Sequence, residues 1–157
     1  MLVKFSALVV TLLLMAELSS AQRKLPNFSF EPHTTEFANA NRKYNAENEF
    51  IDTLKDEHII TMLFKILRDN PELQVQIIGH TALNEKSRLG ELRANLVYNR
   101  MVRLGIKKER MKTENFGHTS PILSDDVTLS LPTVVEKEAA NQKNRRVEVK
   151  VVDLVDE

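Results

Sequence analysis

Hydrophobic and polar positions change period several times along the chain, and each change predicts an element. Asn27-Phe28-Ser29-Phe30 alternates with the two-residue period of a strand, which Pro32 ends. His33 to Asn48 is polar, with Phe37 and Tyr44 as its apolar anchors, and is expected to be a loop with some helical character. Phe50, Leu54, Ile59, Leu63, Ile66 and Leu67 then recur at helical spacing, with Asp52 or Thr53 as the candidate cap. Asn70-Pro71 stops this helix, because proline disfavours the helical conformation at the residue before it. Leu73, Val75 and Ile77 alternate with Gln74 and Gln76 in a strand reaching Ile78. Leu89, Leu92, Leu96, Val97, Met101 and Leu104 form the apolar stripe of a second helix over Lys86 to Leu104. Gly105 suits its C-terminal stop, and Arg100 and Arg103 suit the negative end of its dipole. Arg110 to Phe116 is a third strand, and Gly117 to Glu136 a long connection in which Val127 to Leu131 offers a short hairpin arm. Val147, Val149 and Val151 alternate with Glu148 and Lys150 in a last strand whose sheet has one covered face.

The order strand-helix-strand-helix-strand-strand predicts an α+β fold: a βαβαβ(β) two-layer sandwich with two helices packed on one face of a mixed sheet. The first residues stand apart from it. Lys4 precedes an apolar run from Phe5 to Ala16, and Ser19-Ser20-Ala21 offers small residues for cleavage, the pattern of a secretory signal peptide over 1–21. The run is shorter than the roughly 20 residues that span a bilayer, and no later segment approaches that length. Residues 22–48 are expected to supply the first strand and polar loop, and 49–157 the main domain.

Charge and composition exclude more than they assign. Lys plus Arg and Asp plus Glu both number 22, so no net field draws the chain to nucleic acid or an anionic surface. With no cysteine there is neither a disulfide nor a site for lipid attachment through sulfur. The histidines at 33, 58, 80 and 118 lack metal-ligand spacing, and His58, among apolar helix residues, is expected near the core. No phosphate loop, nucleophile elbow or zinc helix is present, and Asp125-Asp126 is an isolated acidic pair. These absences predict a protein that is not an enzyme and needs no cofactor.

The most informative residues are Ile77 to Ala94, IIGHTALNEKSRLGELRA, and Asn144-Arg145-Arg146-Val147-Glu148. Gly79-His80-Thr81, then Leu89 with Arg93-Ala94, then Gly105, Pro121 and the Asn-Arg-Arg-Val-Glu strand resemble the OmpA-like peptidoglycan-binding domain over about Leu63 to Val152. The resemblance implies an exported protein of a Gram-negative envelope, periplasmic or outer-membrane-associated. Its partner would be peptidoglycan, through the diaminopimelate arm of the stem peptide, or envelope proteins.

That arm ends in an ammonium and a carboxylate on one carbon, and the family takes it with an aspartate and an arginine. Arg93 fits the arginine, whose planar fork binds a carboxylate bidentately. Arg145 and Asn144 would line the same edge, and Thr81 would donate its hydroxyl. The aspartate after Thr81 is here Ala82, and the turn to Leu89 is shorter than is usual in the family. Glu85 could take the ammonium instead, or Asn84 accept one of its hydrogen bonds. Without that compensation, loss of a charge-assisted bond weakens binding by about 1.5–3 kcal/mol, tenfold or more. Plainer roles stand beside these. Arg93 could pair with Glu114 or Glu148, Arg145 and Arg146 could be solvated edge charges, His80 could satisfy turn carbonyls, and Gly79 could serve a sharp exit from its strand. Two functions follow: a wall-binding module using Thr81, Asn84, Glu85, Arg93, Asn144 and Arg145, or an assembly module whose partner uses 33–48 and 122–135.

Overall fold

The computed structural model describes residues 25, 27–38, 42–44, 50–52 and 56–152. The expected signal peptide lies outside them. In chain order the elements are β1 (Phe28–Ser29), β2 (Arg42–Tyr44), β3 (Phe50–Asp52), α1 (Asp56–Asp69), β4 (Gln74–His80), α2 (Arg88–Arg103), a 3-10 turn at Lys108–Arg110, β5 (Met111–Gly117), α3 (Asp125–Ser130), α4 (Val134–Asn144) and β6 (Arg146–Val152). One mixed sheet runs β1-β6-β4-β5, antiparallel except for the parallel β4–β5 pair, and β2 and β3 pair antiparallel with each other. The α+β architecture expected from the order of elements is the one observed.

The core lies between the sheet and α1 with α2. Val75 and Ile77 of β4, and Val147 and Val149 of β6, meet Ile60, Leu63 and Leu67 of α1 and Ala94, Val97 and Met101 of α2. Burying one such side chain fully is worth about 1.5–3 kcal/mol. At the close of α1 the Arg110 guanidinium donates to the carbonyls of Leu67, Asn70 and Leu73, a cation placed where helix carbonyls lack partners. Gly105, at φ 99°, ends α2 as expected, and Ile106 N–H returns to the Met101 carbonyl.

Four details differ from the sequence expectation. Phe50 begins a strand rather than a helix, and α1 starts at Asp56. Val127 to Leu131 is no hairpin arm. Ser124 caps the Val127 N–H, and Asp125 and Asp126 favour the helix N-terminus, so α3 forms there. The buried face of α2 is Gly90, Arg93, Ala94, Val97 and Met101, while Leu92 and Leu104 face outward. His58, expected near the core, is exposed on α1.

Candidate functional site

The site sits beyond the C-terminal end of β4, and two glycines bring its helix there. A Cβ on Gly79 would overlap the carbonyl of Gly90, so strand and helix backbones touch directly. Gly79 thus serves this close approach rather than a sharp exit from the strand. One turn past Gly90, Arg93 stands inside the buried stripe of α2, wholly excluded from solvent. Arg145 arrives from the other side, between α4 and β6, and is equally buried.

Both guanidiniums converge on the Glu85 carboxylate. Arg93 donates to it from Nη2 to Oε1 at 2.7 Å and from Nη1 to Oε2 at 2.8 Å, a bidentate fork, and Arg145 Nε reaches Oε1 at 3.2 Å. The backbone N–H groups of Ala82 (3.0 Å) and His33 (2.8 Å) complete the set. Burial alone pushes the Glu85 carboxyl up. The hydrogen bonds from Arg93, Ala82 and His33, with the Arg93 charge, outweigh it and hold the group down at about 2.

Every N–H of both arginines is used. Beyond Glu85, Arg93 donates to the carbonyls of Thr34, His80 and Glu31, so all five of its donors have acceptors. Its guanidinium also lies 5.2 Å from the centre of the Phe30 ring. Arg145 donates to Glu85, twice to Glu138, and to Gln142 and Asn84, again all five. Two cations are thereby matched by the carboxylates of Glu85 and Glu138, the balance that makes buried charges tolerable.

The expected site residues are brought together unevenly. Glu85, Arg93 and Arg145 meet, and Asn84 joins through Arg145 at 3.3 Å. Thr81 is buried beside them, its N–H on the Gly117 carbonyl and its hydroxyl without a partner among the described residues. Asn144 turns elsewhere: its Oδ1 accepts from the N–H groups of Ile122 and Leu123, and its Nδ2 donates to the Leu123 carbonyl. Asn144 therefore fastens the 122–123 loop. Glu85, expected to face an ammonium, faces two guanidiniums. Arg93 pairs with neither Glu114 nor Glu148, and Arg145 is not a solvated edge charge.

Three partners were not legible as site residues. Glu138 and Gln142 lie on α4, a helix absent from the sequence expectation, whose connection ended at Glu136. Its signal was Thr133-Val134-Val135-Glu136, a capping box that closes in both directions. The third is the stretch 29–38, which folds back on itself through the Phe30–Phe37 bridge and through Ala38 N–H to the Ser29 carbonyl, roofing Arg93.

A second buried polar group lies on the opposite face of the sheet. His80 packs edge-on against Phe116, 3.8 Å from Glu148, which Arg146 holds at 2.6 Å. Neither ring nitrogen has a hydrogen-bond partner among the described residues, so His80 does not satisfy turn carbonyls. Burial, then the Arg146 charge, lowers its pKa to about 4, only partly offset by Glu148. Among the described residues no group of His, Cys, Asp or Glu is placed to hold a metal ion, and no helix is long and apolar enough to cross a membrane.

The fold has counterparts among known proteins. The OmpA family model matches residues 45–130, more than half the chain, and the chain belongs to the OmpA family. Its fold is similar to the C-terminal domain of Helicobacter pylori MotB, at TM-score 0.57 and 19% identity over 83% of this chain and 86% of that one. It is similar also to the peptidoglycan-associated lipoprotein of Burkholderia pseudomallei, at 0.55 and 17% over 80% and 89%. The cell wall anchor of the T6SS from Pseudomonas aeruginosa follows at 0.53 and 16% over 78% and 73%. At such identities the likeness establishes the fold. No curated protein sequence matches the chain.

Proposed function

We propose that this protein is a non-catalytic module of the bacterial cell envelope that binds peptidoglycan, taking a carboxylate of the stem peptide, with diaminopimelate as its source, between Arg93 and Arg145. The observation that carries this is the convergence of two buried guanidiniums on one carboxylate beyond the end of β4. Such a pair recognises carboxylates by charge and by fork geometry. Thr81 and Asn84 lie at its margin. Names among the structural relatives, a peptidoglycan-associated lipoprotein and a cell wall anchor, agree with the assignment, which would place the exported protein in the periplasm.

Sedimentation with purified sacculi tests it. Wild-type protein is expected in the pellet, with Arg145→Gln reduced and Ala82→Asp enriched. Wild-type protein that stays in the supernatant refutes wall binding.

A second reading has its own support. Because every donor of both arginines is already satisfied, the same scaffold also suits an assembly module that contacts envelope proteins instead of the wall. Ile122, Val134 and Val135 are 53%, 83% and 78% exposed in the segment expected to meet a partner. Recovery of an envelope protein by cross-linking at Val134, together with no sedimentation on sacculi, would favour this role.

A further inference from the structure

Glu85 comes from the turn that lacks the aspartate, yet its carboxylate occupies the focus of both guanidiniums, the chemical position of a bound carboxylate. It is also locked there from above. His33 adopts a left-handed backbone, φ 58°, in the turn whose N–H donates to Glu85 Oε1, while the carbonyls of Glu31 and Thr34 take Arg93 Nη2 and Nε. The same short stretch therefore binds both the anion and the cation.

We infer that Glu85 is a tethered occupant of a carboxylate-binding site, and that the 29–38 hairpin is the lid that keeps it there. An external carboxylate enters by displacing the Glu85 side chain, and the lid contacts made through His33, Glu31 and Thr34 break in the same event. The exchange conserves charge, since one carboxylate replaces another between the same guanidiniums. A tethered group competes at an effective concentration of roughly millimolar or above. A free monomeric acid is thus a poor competitor, whereas a polymer presenting many copies of the same carboxylate is a good one. The inference builds on the proposed wall-binding site but is tested apart from it.

Glu85→Ala removes a CH2–COO⁻ unit, the size of acetate. Melting curves of wild type, Glu85→Ala and the space-filling Glu85→Gln are compared in sodium acetate and in sodium chloride of equal ionic strength. The expected result is a saturable rise in the Glu85→Ala midpoint with acetate, absent in wild type and in Glu85→Gln, together with at least tenfold tighter binding of meso-diaminopimelate by Glu85→Ala than by wild type. Equal midpoints in the two salts, or no gain in diaminopimelate binding, overturn the inference. If Glu85→Ala does not fold in chloride, refolding yield in acetate becomes the readout, and no recovery in acetate overturns it equally. Failure of wild type to sediment with sacculi removes the wall-binding function while leaving acetate rescue informative. Sedimentation without acetate rescue removes only the tethered-occupant role.

Discussion

Replacing Glu85 by glutamine keeps the shape of the side chain and removes its charge, leaving two wholly buried guanidiniums with one carboxylate, that of Glu138, between them. Breaking one member of a buried ion pair costs about 3–5 kcal/mol, because the partner charge stays desolvated. The titration of Glu85 gives a figure of the same order. A carboxyl held at about 2 instead of the ordinary 4.5 favours the folded state by roughly 3 kcal/mol once ionised. Since the folded value lies below the unfolded one, this contribution is complete above about pH 4.5 and disappears as pH falls toward 2. Urea denaturation followed by circular dichroism should therefore show Glu85→Gln less stable than wild type by about 3–4 kcal/mol at pH 7, with the gap narrowing by pH 3. Against a total stability of about 5–15 kcal/mol for a domain, that is a large fraction. A loss below about 1 kcal/mol at pH 7, or a gap of the same size at pH 3, would refute the reasoning.

Other outcomes follow from the same contacts. His80, held neutral with its pKa lowered to about 4, opposes protonation in the folded state, so stability should fall as pH drops from 6.5 to 4; a His80→Phe variant should show a flatter profile across that window in pH-dependent melts. Gly79→Ala sets a methyl against the Gly90 carbonyl, backbone that cannot rotate away, and is expected to cost 2 kcal/mol or more in chemical denaturation; a neutral result would mean that strand and helix are not in contact there. Thr133→Ala removes half of the capping box and should cost about 1 kcal/mol, read as faster amide exchange in the first turn of α4.

The sheet and its two covering helices were legible because their signals are periodic. Val75 and Ile77 alternate, and Ala94, Val97 and Met101 share one helix face. Arg93 was legible as a special arginine through its place after Leu89 and before Ala94. Its partner was not, because a contact between residues 85 and 93 depends on how a short turn folds, and the lid that fixes that turn is Glu31 to Thr34, distant in sequence. The polar composition of 33–48 suggested a loop with some helical character; within it Phe37 packs on Phe28 and Phe30, while the backbone groups of 31, 33 and 34 bind Arg93 and Glu85. Helix α4 was missed although Thr133-x-x-Glu136 announced it, since Val134 and Val135 are exposed and leave no apolar stripe to detect. The α2 stripe was displaced for a similar reason: glycine and arginine occupy core positions that hydrophobicity alone would give to Leu92 and Leu104.

Phe28 and Phe30 are fully buried, and β1 joins the sheet at β6, the last strand among the described residues. The first and last described strands are thus paired edge to edge, and main-chain groups of 31, 33 and 34 are ligands to side chains far downstream. A fragment trimmed to begin near residue 49, as the family match from 45 would tempt one to make, would retain the two helices and three of the four sheet strands. It would also open the Arg93–Glu85 pair to water on one side, and measurements on it would describe a different pocket.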